Sequence, residues 1–349
     1  MVRIYGYIKR NRLICILVLA VCSQQILLFH RKLSCFSDKR HLVATSGDAN
    51  EHVTRKNVEE ETNVEGRREY LIYDSDFKRG LGNCMFKMAS ILGIVEGSDK
   101  IPVFANTSKL VKYFEHINLD SLASQPHVFN TSLRMFGGGT GKYKASMLEA
   151  RTKQRNITLV GYYQSWKYFR NITHKIRHIF TFKHHIRNEA ESIIQSARSR
   201  HDMKEDVILV GVHVRRGDIV NFKRLQERGF TTPPTEYYDR AMLLLEQIFR
   251  NKTLVFVVAS NDYEWARSHL VTSQRRLVFL SESNSEALDM CVLSQCDHVI
   301  MSVGTFSWWA AWLAGGVTVY YDLWPKTDTW LGNNVCHSDY FLPSWIPLH

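Results

Sequence analysis

From Asp206 to Tyr321, short apolar runs rich in β-branched residues alternate with stretches of helical length, a pattern that a parallel sheet with right-handed crossovers satisfies. The runs fall at 207–212, 253–260, 277–280, 298–303 and 317–321. Helices are expected at 235–249 after Pro233-Pro234, from about 261, at 284–293, and at 305–314, where Gly315-Gly316 ends the last of them. Val207-Ile-Leu-Val-Gly-Val212 is continuously apolar rather than alternating, so it reads as a strand buried on both faces. It turns abruptly polar at His213-Val-Arg-Arg-Gly-Asp218, at the carboxyl end where open α/β sheets place their ligands. Two adjacent guanidiniums, Arg215 and Arg216, carry permanent charge and five donors each, which calls for an anion such as a phosphate. The competing reading pairs them with carboxylates of the fold and leaves Asp218 as a turn cap.

Two further strand ends are polar, Ser260-Asn261-Asp262 and Ser302-Val-Gly-Thr-Phe-Ser307. The second opens a helix, so Thr305 and Ser307 either cap it or present hydroxyls to an anion at its positive end. Earlier in the chain, Arg79-Gly-Leu-Gly-Asn83 feeds the apolar, helically spaced segment 84–95 and forms another candidate anion turn. It lacks the Lys-Ser/Thr of a P-loop, and the absence of a Gly-x-Gly-x-x-Gly fingerprint in the later half argues against a dinucleotide. Arginines on one strand end and a Gly-Thr helix start on another together suggest a pyrophosphate pocket. Asp74-Ser-Asp76 has no nucleotide-binding strand and helix before it, and no cysteine pair has zinc-like spacing with a second pair, so no metal is expected.

The stretch 158–169 is a strand running into aromatic and polar residues. Tyr163, Gln164 and Trp166 there suit a sugar ring, and a buried aromatic corner is the equal alternative. Gly137-Gly-Gly-Thr-Gly141 is expected to be a flexible loop, and 174–200 an amphipathic helix with His178, His184 and His185 in solvent. The helical spacing of Trp308, Trp309 and Trp312 points to core.

Charge is unevenly spread. Of the net +11, Arg3, Lys9, Arg10, Arg12, Arg31, Lys32, Lys39 and Arg40 against Asp38 place +7 in the first forty residues, so the body is only mildly basic and no nucleic-acid partner is expected. The apolar segment 13–29, interrupted by Ser23, Gln24 and Gln25, is long enough to span a thin membrane. A signal peptide cleaved near Ala20-Val21-Cys22 is the competing reading, and the apolar character that resumes after the glutamines favours an anchor. Five glycosylation sequons, at Asn106, Asn130, Asn156, Asn171 and Asn251, all follow this segment and indicate a lumenal body with a cytoplasmic tail. Cys35, Cys84, Cys291, Cys296 and Cys336 lie on the same side, where disulfides persist. Their odd number leaves at least one free or paired with another chain, which keeps a homodimer open.

Gly211-Val-His-Val-Arg-Arg-Gly-Asp218, Val257-Val-Ala-Ser-Asn-Asp262 and Gly304-Thr-Phe-Ser-Trp-Trp-Ala-Ala-Trp-Leu-Ala-Gly-Gly316 resemble, in order, three signatures of the galactoside α1,2-fucosyltransferases. Gly80-Leu-Gly-Asn83, 161–169 and Phe341-Leu-Pro-Ser-Trp345 are also similar. Cys84 departs from the family where glutamine is common, and Ser307-Trp308 where a small residue is, which bears on acceptor choice.

The resemblance implies an α/β fold of two Rossmann-like domains (GT-B type) facing a cleft. The organisation it implies is a tail at 1–12, a signal-anchor at 13–29, a stem at 30–68, an acceptor-side domain at 69–200 and a GDP-fucose-binding domain at 201–349. It implies metal-free, inverting transfer of L-fucose from GDP-fucose to the 2-hydroxyl of a terminal galactose at the Golgi membrane. Arg215 would meet the charge on the departing diphosphate, helped by Arg216 and the helix start at Thr305 and Ser307. His213 would orient Arg215 or touch a phosphate, Gly82 and Asn83 would approach from the other domain, and Ser260, Asn261 and Asp289 would serve ribose and guanine. Asp218 and Glu227 are the nearest carboxylates for a base. A core- or peptide-directed fucosyltransferase and an inactive glycan-binding homologue remain alternatives, while a sulfotransferase lacks its early phosphosulfate loop.

Overall fold

The computed structural model describes residues 69–73, 80–104, 108–117, 132–199, 206–271 and 274–349. The tail, the apolar segment, the stem, Asp74, Asp76, Arg79, Asn106 and Asn130 lie outside them. Among the described residues no helix is long and apolar enough to cross a membrane.

The fold is mixed α/β with two wholly parallel sheets. The first contains β1 (Tyr70–Tyr73), β2 (Ile101–Phe104), β3 (Leu133–Gly138) and β4 (Ile157–Gly161) in the order β2-β1-β4-β3. The second contains β5 (Val207–Val214), β6 (Thr253–Ser260), β7 (Arg276–Phe279), β8 (His298–Ile300), β9 (Thr318–Tyr321) and β10 (Ile346–Leu348) in the order β10-β9-β8-β5-β6-β7. From β5 the chain winds outward to β6 and β7, then returns to β5's other side for β8, β9 and β10. The order therefore reverses between β5 and β8, and a crevice opens there at the carboxyl ends, because the flanking connections leave in opposite directions. Register fixes what stands at its lip. Eight β5–β6 pairs run from Val207↔Thr253 to Val214↔Ser260, so Arg215 and Asn261 leave their strands side by side.

The two sheets are joined by an aromatic core. Phe86, on the helix Leu81–Val95, lies 4.4 Å from Trp308 and 5.1 Å from Trp309, on the helix Thr305–Ala314. Phe169 stacks on Trp309 at 5.6 Å, and Trp308 donates its indole N–H to the carbonyl of Tyr340 at 2.7 Å. All three tryptophans of the second helix are buried, as their spacing predicts. Each such ring pair adds about 0.5–1.5 kcal/mol beyond its buried area, so the helices carrying the two glycine-rich turns are held together firmly. The described residues, from 69 to 349, belong to one compact unit.

Several expectations need correction. Gly137 and Gly138 belong to β3 rather than to a loop: a side chain on Gly137 would collide with Met147, so glycine here serves close packing. The expected single helix at 174–200 is two, Thr173–Ile179 and His184–Ser199, separated where Phe180 and Phe182 turn inward to pack on Phe114; His178, His184 and His185 are exposed. β8 ends at Ile300, three residues short of the expected limit, and β10 was not anticipated. Cys84, Cys291, Cys296 and Cys336 are all free thiols. The first three are buried, and burial pushes Cys84 and Cys291 up to about 11, as suits inert fillers. Asn171 and Asn251 are exposed, whereas Asn156 is half-buried and accepts the Tyr70 N–H at 3.0 Å.

Candidate active site

A cavity of about 590 Å³ occupies the β5–β8 crevice, within the roughly 300–1,000 Å³ span of small-molecule sites. It is lined by Gly80 to Asn83, His213, Arg215, Asp218, Ala259 to Asn261, Tyr263, Glu282, Asn284, Glu286, Asp289, Thr305 and Phe306. Residues expected from four separated segments thus meet in one place. A sequence pattern alone cannot bring Asn83 to Thr305.

Their meeting depends on Gly82. A Cβ on it would lie 2.5 Å from the Thr305 carbonyl oxygen, so only glycine lets the two helix starts approach this closely. Asn83 lies within the first turn of its helix, which begins at Leu81, not in a loop before it. Its Oδ1 accepts from the Thr305 hydroxyl at 2.9 Å and from Gln164 Nε2 at 2.8 Å. Both helix amino termini therefore converge on the cavity, where their dipoles favour negative charge.

Arg215 faces this point. Its backbone N–H donates to Ser302 Oγ at 3.1 Å, and its guanidinium sits over the Phe230 ring at 5.4 Å and pairs with Asp218 at 2.6 Å. Gly304, at φ +88°, clears space for that guanidinium, which a Cβ would strike. Burial alone would raise the Asp218 carboxyl, but the hydrogen bonds and charge of Arg215, with Asn261 Nδ2 at 3.0 Å, hold it below its ordinary value. Held as a carboxylate by four donated bonds, Asp218 is a weak base and a strong positioner of Arg215. Glu227 lines neither this cavity nor a smaller one that adjoins it at Asn83, Arg215 and Thr305.

His213 is buried beside Phe306, at 4.9 Å, and burial drives its imidazole down to about 3, so it is neutral at physiological pH. Its Nδ1 has no hydrogen-bond partner among the described residues. Ser260 Oγ accepts the Asp262 N–H at 2.9 Å, and Asn261 Oδ1 accepts from the Arg216 and Gly217 amides at 2.8 and 3.1 Å, which ties the turn after β5. At the far end, burial raises the Asp289 carboxyl to about 6 against an opposing hydrogen bond from Asn284 at 2.9 Å.

Other expected residues lie elsewhere. Arg216 points away from the cavity, over the Trp265 ring at 5.1 Å and against Asp262 at 3.4 Å, so of the two arginines it follows the structural reading. Ser307 is fully buried in the core and lines neither cavity. Tyr163 is buried edge-on to Tyr73 and Tyr168, and Trp166 lines neither cavity; of the three acceptor-side candidates only Gln164 reaches one. Conversely, Glu286 was missed. Its carboxylate accepts the Leu81 N–H at 3.3 Å and pairs with Lys109 at 2.8 Å, yet in sequence it is an ordinary acidic residue in a helix's first turn.

A parallel sheet with one arginine and two helix starts facing a crevice at its switch point offers a place for an anionic group, and the chain has no P-loop. The chain belongs to glycosyl transferase family 11, whose model matches residues 50–349. Galactoside alpha-(1,2)-fucosyltransferase 1 of Bos taurus is 33% identical over 57% of this chain and 55% of its own length. The human protein of that name is 34% identical over 55% and 53%. The matched stretch thus spans a little over half the length of these curated relatives. A mutant of FUT1 from Arabidopsis thaliana in complex with GDP is similar over 74% of this chain and 71% of that one, at 13% identity and a TM-score of 0.47.

Proposed function

We propose that the protein transfers L-fucose from GDP-β-L-fucose to the 2-hydroxyl of a terminal β-galactose with inversion, as a GT-B-type enzyme whose second sheet, within 201–349, holds the nucleotide. The observation that carries this is Arg215, fixed by Asp218 and Ser302 at the mouth of the crevice. The names of the curated relatives support the fucosyl donor and the galactoside acceptor. As the C1–phosphate bond breaks, the galactose oxygen bonds to C1 from the opposite face, GDP departs and the hydroxyl proton is released. Charge gathers on the β-phosphate while the sugar becomes oxocarbenium-like. Arg215 and the helix start at Thr305 would stabilise that charge in place of a metal. Anchoring in the Golgi membrane through 13–29, with the body lumenal, rests on the apolar segment and the sequons that follow it.

GDP release from GDP-fucose, measured with lactose present and EDTA added, tests this reading. Turnover is expected to persist in EDTA; strict metal dependence, or lactose binding without turnover, refutes it.

Asp289, which lines the cavity, would accept the guanine N–H donors. Because burial lifts its carboxyl to about 6, it loses charge as pH falls through that value, and its acceptor strength falls with it. KM for GDP-fucose should therefore rise on the acid side of pH 6. Asp289→Asn should have a high KM at every pH and lack that inflection, and an unchanged profile in the variant removes Asp289 from the donor site.

A further inference from the structure

A second cavity, of about 250 Å³, adjoins the first and shares Asn83, Arg215 and Thr305 with it. Those three residues surround the point where the bond to the departing phosphate would break, so whatever occupies the second cavity lies next to the reacting carbon. Three polar atoms on its lining residues are buried and have no hydrogen-bond partner among the described residues: Thr140 Oγ1, Trp324 Nε1 and Tyr340 Oη. Trp324 is 2% exposed and Tyr340 fully buried. Native proteins seldom leave such groups unsatisfied, and those that remain cluster where a ligand completes them. A hydroxyl-rich ligand, able both to donate and to accept, matches a hydroxyl, an indole N–H and a phenol.

An aromatic ring also lines this cavity. Trp330 is 46% exposed, and the Arg228 guanidinium backs its ring at 4.4 Å. Two segments that were not expected to act together form this wall. Lys326 N–H donates to the Gly229 carbonyl at 3.0 Å and Leu331 N–H to the Arg228 carbonyl at 2.9 Å, which locks 228–229 onto 326–331. Two guanidiniums line the cavity, Arg215, which Asp218 pairs, and Arg228, which lies against the Trp330 ring, and among the described residues no Asp, Glu or His joins them.

We infer that this cavity is the acceptor subsite, holding the terminal galactose with its hydroxyls on the Trp324 and Tyr340 donors and its C–H face on Trp330, so that the carboxyl-terminal half builds most of both substrate sites. The inference rests on the proposed fucosyl transfer for the identity of the sugar. It departs from the sequence expectation that the acceptor is bound chiefly by the amino-terminal half.

The test uses the full chain, lactose as the probe, and two variants at a half-exposed position where folding is least at risk. Trp330→Ala should raise KM for lactose at least tenfold while KM for GDP-fucose moves less than twofold, and Trp330→Phe should recover most of the loss. Trp324→Phe, which keeps a ring and removes the N–H, should also raise KM for lactose. Saturation-transfer NMR with lactose reads binding independently of turnover: the signal should be present in the wild type and lost in Trp330→Ala. Equal lactose signals in the two proteins, no signal in the wild type, or an equal rise in both KM values would overturn the subsite. Absent GDP release from a wild type that still shows the Trp330-dependent signal would refute the transferase reading and leave the subsite standing.

Discussion

Arg215→Ala is expected to yield a folded protein whose kcat, at saturating GDP-fucose and lactose, is lower by a factor of a hundred to a thousand or more. A fixed donor aimed at developing negative charge in a site sheltered from water is worth about 2.7–4 kcal/mol, and Arg215 is the arginine that lines both cavities. Arg215→Lys should recover little of this. An ammonium cannot reproduce the planar fork that meets Asp218 through both Nε and Nη2. The fold should survive, because the Asp218 side chain stays about one-third exposed and water can solvate it when its partner is gone. Initial rates together with a far-ultraviolet circular dichroism spectrum make the check. A folded Arg215→Ala protein within tenfold of the wild-type rate would show that the charge is met elsewhere.

The second large effect comes from a residue with no functional group. Gly82→Ala places a methyl 2.5 Å from the Thr305 carbonyl oxygen and 2.6 Å from its carbon, and backbone atoms in a helix start cannot turn aside as a side chain can. The two helices must separate by about an ångström, which breaks the chain of hydrogen bonds from Thr305 through Asn83 to Gln164. Displacements of that size cost on the order of a hundredfold in rate, and overpacking costs about 1–3 kcal/mol in stability. We therefore expect kcat/KM to fall by about two orders of magnitude with a lower melting temperature. Gly80→Ala, two residues earlier and with nothing within 4 Å of its added carbon, should melt close to the wild type. A Gly82→Ala protein with normal kinetics would mean that the close approach of the helices is not what builds the site.

Arg215 and Arg216 show how far local pattern reaches. Both were expected to meet an anion, and one of them lines the crevice cavity. Side chains alternate along an extended strand, and at the end of β5 that alternation carries Arg215 to the same side as His213 and sends Arg216 toward Trp265. The signal was therefore present in the spacing, but knowing which side faced the ligand required the position of β8. Two of the three acceptor-side residues, Tyr163 and Trp166, line neither cavity, for a different reason. Tyr163 and Trp166 have the right chemistry, yet an aromatic residue after a strand is as readily packed inward as outward, and burial against Tyr73 and Tyr168 decided it for Tyr163.

The amino-acid sequence by itself determined the order of strands and helices from 207 to 321, the buried character of β5, and the placing of charged residues at its carboxyl end. Each of these depends on the periodicity and side-chain type of neighbouring residues. The tertiary structure alone decided that the sheet reverses between β5 and β8, that Asn83 touches Thr305, and that Trp324, Trp330 and Tyr340 form a second cavity beside Arg215. Those outcomes depend on strand pairing and close packing between residues as many as 222 positions apart, which local preference does not encode.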